Sequence, residues 1–290
     1  MKSPEKILDD AIRDHQPGAI IGLFSGGHDS LTVTHWAATH LGSKLTTVVH
    51  IDTGIGVPET QQYVKDVCEQ YGWPLEIYRA VENTYADGTP DPMVYEDIVL
   101  EHGFPGPSQH RIMYSKLKER QIRKVCRDYR GDGPVMFISG VRRQESSRRM
   151  GTVKEVARFG NQVWVSPFID KSALDLTDYI VENNLPRSPV KDTLHMSGEC
   201  LCGAFAQKGE LEEIRLWYPK VAERIDKIQA KVCEKYPWGW EDGPPKWWLD
   251  KREAELAGQS DAFSGDFDHV EGELRQYLCA GCGKAAEGTK

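Results

Sequence analysis

Apolar and polar positions along the chain alternate between short buried runs and amphipathic stretches. Residues 4–14 read as a short amphipathic helix. Residues 19–24, AIIGLF, form a continuous apolar run of the kind found in parallel strands buried on both faces. A helix is predicted over 31–41, a second strand over 45–51, and a helix over 58–71 with Pro58 well placed in its first turn. Residues 75–79 predict a third strand. Residues 83–107, rich in Gly, Pro and Asp, read as loop around a short helix. A basic helix over 114–129, a fourth strand over 135–139 and a short fifth over 162–165 complete the series. Strands alternating with helices at this spacing predict an α/β fold on a parallel sheet, with ligands beyond the carboxyl ends of its strands. After about Pro167 the pattern turns helical, over 173–183, 210–236 and 246–256. We therefore expect an α/β domain over 1–205 and a mostly helical C-terminal extension over 206–290, with a dense Pro, Gly and Trp stretch at 237–248.

With 290 residues, 39% of them hydrophobic, the chain is long enough for one large domain plus an appendage, and wholesale disorder is excluded. No run approaches the ~18 apolar residues that a membrane span needs. The polar, acidic N-terminus differs from a signal peptide, so a cytoplasmic protein is expected. Seven cysteines are too few for a disulfide scaffold. The net charge of −8 is uneven: between His110 and Arg158 there are 14 Lys and Arg against 5 Asp and Glu. An acidic body with one basic segment is poorly suited to coating nucleic acid by bulk charge. It is well suited to holding a small polyanion at one place.

Candidate chemistry gathers where strands end. Ser25-Gly26-Gly27-His28-Asp29-Ser30 follows the first strand. The two glycines permit close backbone approach, the serines add hydroxyls, and the next helix presents free N–H groups and the positive end of its dipole. This is an anion cradle of phosphate size. It is not a Walker A loop, because His28 stands where that motif has lysine. Asp29 inside such a loop suggests either a Mg²⁺-bound polyphosphate or a helix cap. Asp52-Thr53-Gly54 ends the second strand and offers a carboxylate for a ribose hydroxyl or a metal, or simply the geometry of a turn. After the fourth strand, Gly140 precedes Arg142, Arg143, Arg148 and Arg149. Such a run can clamp phosphate or sulfate bidentately.

Taken in order, SGGxDS after a strand, IDTG with PET beyond it, and GVRRQES..R resemble the PP-loop superfamily, and within it the phosphoadenosine phosphosulfate (PAPS) reductase family. The resemblance covers roughly residues 18–205 and includes a VSPFID…NLPRSP segment. It implies an adenine nucleotide α-hydrolase-like fold that binds ATP, adenylyl sulfate or PAPS. By similarity Ser25, Gly26, Gly27, Asp29 and Ser30 hold phosphates, with His28 in place of the usual lysine, and Arg142 to Arg149 close over the anionic end. The chain departs from the reductases in two places. Its last residues lack their ECG cysteine, and Pro107 to Arg111 lacks the paired cysteines of adenylyl-sulfate reductases.

The cysteines fall into two close pairs, Cys200/Cys202 and Cys279/Cys282, each followed by glycine. Four thiolates suit a [4Fe–4S] cluster or tetrahedral Zn²⁺. Relatives that move sulfur, including the DndC-like proteins of DNA phosphorothioation and some tRNA thiolation enzymes, carry such a cluster, and iron–sulfur is favoured over zinc on that ground. A redox dithiol is the other reading, and His195 is a further ligand candidate. Cys68, Cys126 and Cys233 read as buried packing residues in helices. The tryptophans Trp238, Trp240, Trp247 and Trp248 either stack a base or anchor the extension to the core. The expected activity is ATP pyrophosphatase or adenylyl-transfer chemistry on a nucleic-acid or protein acceptor, with Mg²⁺, Arg142, Arg143 and Arg148 stabilising the transfer. The alternatives are a sulfonucleotide reductase and a non-catalytic nucleotide- or metal-binding subunit of a modification complex.

Overall fold

A computed structural model describes residues 2–82, 95–145 and 153–257. Six strands form one sheet in the order β3-β2-β1-β4-β6-β5. β1 (Ala19–Leu23), β2 (Thr47–Asp52), β3 (Leu75–Arg79), β4 (Val135–Ile138) and β6 (Gln162–Val165) run parallel, and β5 (Val156–Phe159) pairs antiparallel with β6 at the edge. The sheet is the parallel one that the strand–helix alternation predicts. β5 escaped prediction because it is four residues long, with Arg158 exposed on an edge.

Alternate residues of each strand serve opposite faces, as the two-residue period requires. Ile20, Val48, Met136 and Val163 pack beneath α1 (Pro4–His15), α2 (His28–Leu41), α3 (Pro58–Tyr71) and the helix Ala173–Glu182. Their neighbours Ile21, Val49, Phe137 and Trp164 pack against Ile122 and Val125 of α6 (Arg120–Asp128). A third apolar cluster joins Tyr95 and Ile98 of α4 (Tyr95–His102) to the helices Glu210–Trp217 and Pro219–Cys233 and to Trp238 and Trp240. Residues 210–240 therefore share a core with residues 55–57, 80 and 95–117.

Two helices differ from expectation for local reasons. The predicted helix over 210–236 is two, broken at Tyr218 (φ −133°, ψ 65°), since a residue before proline is pushed out of the helical region. The basic helix starts earlier, as α5 (His110–Met113). It passes through a π-helical segment, Tyr114–Glu119, in which the Arg120 N–H also reaches the Ser115 carbonyl, and it continues as α6. π-turns are rare and often mark functional sites.

Candidate functional site

β1 lies between β2 and β4, so the chain leaves it toward one side of the sheet and returns on the other. The crevice beyond such a reversal is where open α/β sheets bind ligands. The loop Ser25–Ser30 sits there, stapled by its own groups. The Ser30 hydroxyl accepts from the Ser25 N–H (3.2 Å) and donates to the Gly27 carbonyl (2.9 Å), and the two serine oxygens lie 3.0 Å apart. Gly26 takes φ +85°, and a Cβ there would meet Thr60 at 2.6 Å. Gly27 is the N-cap of α2, so the first N–H groups of that helix face the crevice.

Gly140, just past β4, has a packing role as well as a place in the cavity wall. A Cβ on it would come within 2.8 Å of the Ser30 nitrogen and 2.9 Å of the Asp29 backbone. β4 and the start of α2 approach one another only because that position is glycine. The same contact brings Arg142 to Asp29. Its Nε and Nη2 lie 2.9 and 2.8 Å from Asp29 Oδ2, and the guanidinium is nearly buried. Asp29 thus neither caps α2 nor stands free for a metal; it holds the arginine expected to grip an anion.

Arg143 turns the other way. It pairs with Asp170 and reaches the Val153 carbonyl, outside this crevice, because successive residues of the short turn Arg143–Glu145 project in different directions. Arg148, Cys279 and Cys282 lie outside the described residues. Asp52 also stands apart from the crevice. Its carboxylate accepts from the Gly54 N–H (2.9 Å) and the Gln61 side chain (2.8 Å), with Arg79 at 3.7 Å, and so fixes the turn after β2. Gly54 adopts φ +76° in that turn.

The crevice holds two connected lobes. A narrow one of about 110 Å³ lies between Leu23, Val49, Ile51 and Val141. A wider one of about 410 Å³ runs past His28 and Arg142 to His195, Cys200 and Cys202. Lys118, Glu145 and Glu199 line both. None of these three was legible as a site residue. Lys118 is one cation in a basic segment, and the π-turn carries it inward to Glu199 (3.2 Å), where both side chains are 9% exposed.

Cys200 and Cys202 reach this cavity through a set of backbone clamps. Thr53 Oγ1 donates to the Glu199 carbonyl (2.8 Å) and Thr60 Oγ1 to that of Ser197 (2.8 Å). The Val57 N–H donates to the Gly198 carbonyl (2.7 Å) and the Leu201 N–H to that of Ile55 (3.2 Å). Thr53 therefore serves the cysteine loop. Among the described residues no group of three His, Cys, Asp or Glu is arranged to hold a metal, and no disulfide joins the five described cysteines to one another. Burial pushes the Cys68 and Cys126 thiols up to about 12. Cys233 is exposed, against expectation, because it falls on the outer face of its helix. His195 takes φ +57°, ends the helix Pro189–Leu194 and lines the cavity.

His28 Nε2 is buried with no hydrogen bond among the described residues, 3.9 Å from Asp192. Burial holds this imidazole, and that of His35, below the usual value. The unfolded chain then takes up these protons near pH 6.5, before the native state does, so stability falls as pH drops through that value. His28→Gln is expected to shrink the loss of melting temperature between neutral pH and about pH 5.5. A larger loss in the variant would mean that His28 is charged in the native protein.

Residues 19–197 match the phosphoadenosine phosphosulfate reductase domain, and the chain belongs to that family. It is a PAPS reductase-like member of the PP-loop superfamily. An uncharacterized protein of Methanocaldococcus jannaschii is 26% identical over 223 residues, which is 76% of this chain and 43% of that protein, so the chain spans less than half its relative's length. Among solved structures, a Candida auris PAPS reductase in complex with phosphate is 18% identical with a TM-score of 0.48, covering 67% of this chain and 86% of that one. A Candida glabrata FMN adenylyltransferase with FMN and an ATP analogue is 12% identical with a TM-score of 0.45, covering 66% and 58%. No described helix is long and apolar enough to cross a membrane.

Proposed function

We propose that this protein binds Mg²⁺–ATP on the Ser25–Ser30 loop and cleaves it between the α and β phosphates. The adenylyl group passes to an acceptor oxygen, pyrophosphate leaves, and the activated acceptor is open to attack by sulfur. The charge of the cavity carries this reading. Asp29, Glu145 and Glu199 share it with Lys118, Arg142 and Lys191, and two of those three cations already face a carboxylate. A polyphosphate entering so balanced a site needs a divalent cation. In this reading Arg142 swings from Asp29 onto the ligand, Asp29 becomes free to hold Mg²⁺, and Arg148 adds a second guanidinium. The helix N–H groups, Ser25 and Ser30 hold the leaving pyrophosphate.

The cysteine loop adds a cofactor to the proposal. Cys200 and Cys202 are two residues apart and both line the cavity, which fits half of a four-thiolate site, and Cys279 with Cys282 would supply the other half. A [4Fe–4S] cluster there would supply redox or sulfur-binding chemistry, in the manner of DndC-like proteins, whereas zinc would only tie the tail down. The same cysteines favour one alternative, a sulfonucleotide reductase in which a cavity thiol meets the sulfate.

Thermal melting of anaerobically purified protein separates the two. Mg²⁺–ATP at ~100 times its dissociation constant is expected to add ~2.7 kcal/mol, with little shift from adenylyl sulfate or PAPS, or from ATP without Mg²⁺. Stabilisation by a sulfonucleotide alone would overturn the ATP reading in favour of the reductase.

A further inference from the structure

We infer that a second cavity, walled off from the first by the helical segment 110–119, receives a base of a single-stranded nucleic acid; this rests on the proposed reading of a nucleic-acid acceptor. His110 and Lys118 of that segment line the phosphate-loop cavity, while Arg111, Ile112, Met113 and Lys116 line the second. The second cavity measures about 390 Å³, within the size range of small-molecule sites and ample for one base.

Its walls suit a flat ring. Phe104, Met113, Pro244 and Trp248 supply apolar surface. Trp248 is half-buried and cannot turn freely. Trp238 meets it edge-on at 5.0 Å and Tyr236 at 6.4 Å, and Trp238 is itself fixed by its indole N–H on the Phe104 carbonyl (2.9 Å). A tryptophan face held in this way stacks a base with little ordering cost.

The surroundings point to a strand rather than a free base. Lys116, at the cavity, begins a line of cations that continues through Arg120, Arg123 and Arg127. The steps of three and four residues keep them on one helical face, over about 16 Å at 1.5 Å per residue. Arg123 is paired with the buried Glu119, Arg127 is exposed, and so is Arg130 just past the end of the helix. A free nucleobase has no use for such a line, whereas the phosphates of a strand do. The acidic balance of the rest of the chain confines that attraction to this face.

Fluorescence anisotropy tests this on the full, reduced chain without ATP. The probes are fluorescein-labelled oligo-dA and oligo-rA of roughly twelve nucleotides, with an oligo-dA/oligo-dT duplex as comparison, a length several times the one base that the cavity admits. Single strands are expected to bind, more weakly as KCl rises from about 50 to 200 mM. Trp248→Leu should weaken binding about tenfold at fixed salt, and Trp248→Phe should restore most of it. Lys116→Gln combined with Arg120→Gln should lower the salt slope by about two. Stabilisation by Mg²⁺–ATP should stay at its wild-type value in each variant, and the melting temperature should stay near wild type in Trp248→Phe and in the Lys116→Gln/Arg120→Gln pair, which separates loss of this site from misfolding and from failure of the ATP reading. No binding of either single strand, equal affinity for the duplex, or binding indifferent to both sets of substitutions would overturn the inference.

Discussion

Replacing Lys118 with methionine is expected to remove about 3 kcal/mol of folding stability and to abolish stabilisation by Mg²⁺–ATP. Lys118 and Glu199 meet at 3.2 Å with both side chains 9% exposed, so either end is poorly hydrated when the other is lost. Breaking such a pair leaves one uncompensated buried charge, whereas replacing both ends with neutral groups of similar shape is close to neutral. Lys118→Met should therefore lower the melting temperature by roughly 2 °C for each kcal/mol, and adding Glu199→Gln should recover most of the fall. ATP binding should not recover, because the cation is still missing from the wall of both lobes. Calorimetry of the three variants decides the matter. A single variant melting at the wild-type temperature would mean that water reaches the pair.

Trp240→Ala should be the most damaging change outside the sheet, at about 3–5 kcal/mol. The side chain is 1% exposed in the cluster that joins α4 to the helices of residues 210–233. Its indole N–H donates to the Leu201 carbonyl (2.9 Å), between the two cavity cysteines, and its own N–H donates to Gln229 (2.8 Å). Truncation opens a void and leaves that carbonyl unpaired. Beyond lost stability, we expect faster alkylation of Cys200 and Cys202, followed by peptide mass mapping, while Cys68 and Cys126 stay slow because burial raises their thiols to about 12. Unchanged cysteine reactivity at lowered stability would show that the Thr53, Val57 and Thr60 clamps alone hold the loop.

Elements whose signals are local were legible. α3 ends where predicted, at Tyr71, because Pro58 opens it and Gly72 closes it with φ +65°. β3 and β6 likewise span the predicted residues. The Ser25–Ser30 loop was legible because a buried strand, two glycines and a helix are contiguous in the chain. Gly54 and Asp52 read ambiguously for the same reason: the sequence shows an acidic turn, and the fold turns its carboxylate onto Gly54 and Gln61.

By itself, then, the sequence determined the parallel α/β sheet, the family and the strand-to-helix loop at Ser25–Ser30, since each follows from short-range pattern. Which residues face the cavity beside that loop was decided by tertiary structure. Asp29 meets Arg142 across 113 residues and Thr53 meets Glu199 across 146, both because the strand order sets β1 between β2 and β4. Lys118 reaches the cavity because one π-turn rotates it inward, while Arg143, next to Arg142, is carried out of it. Side chains a single position apart can serve opposite sides of a wall, and only the packed backbone settles which side each one takes.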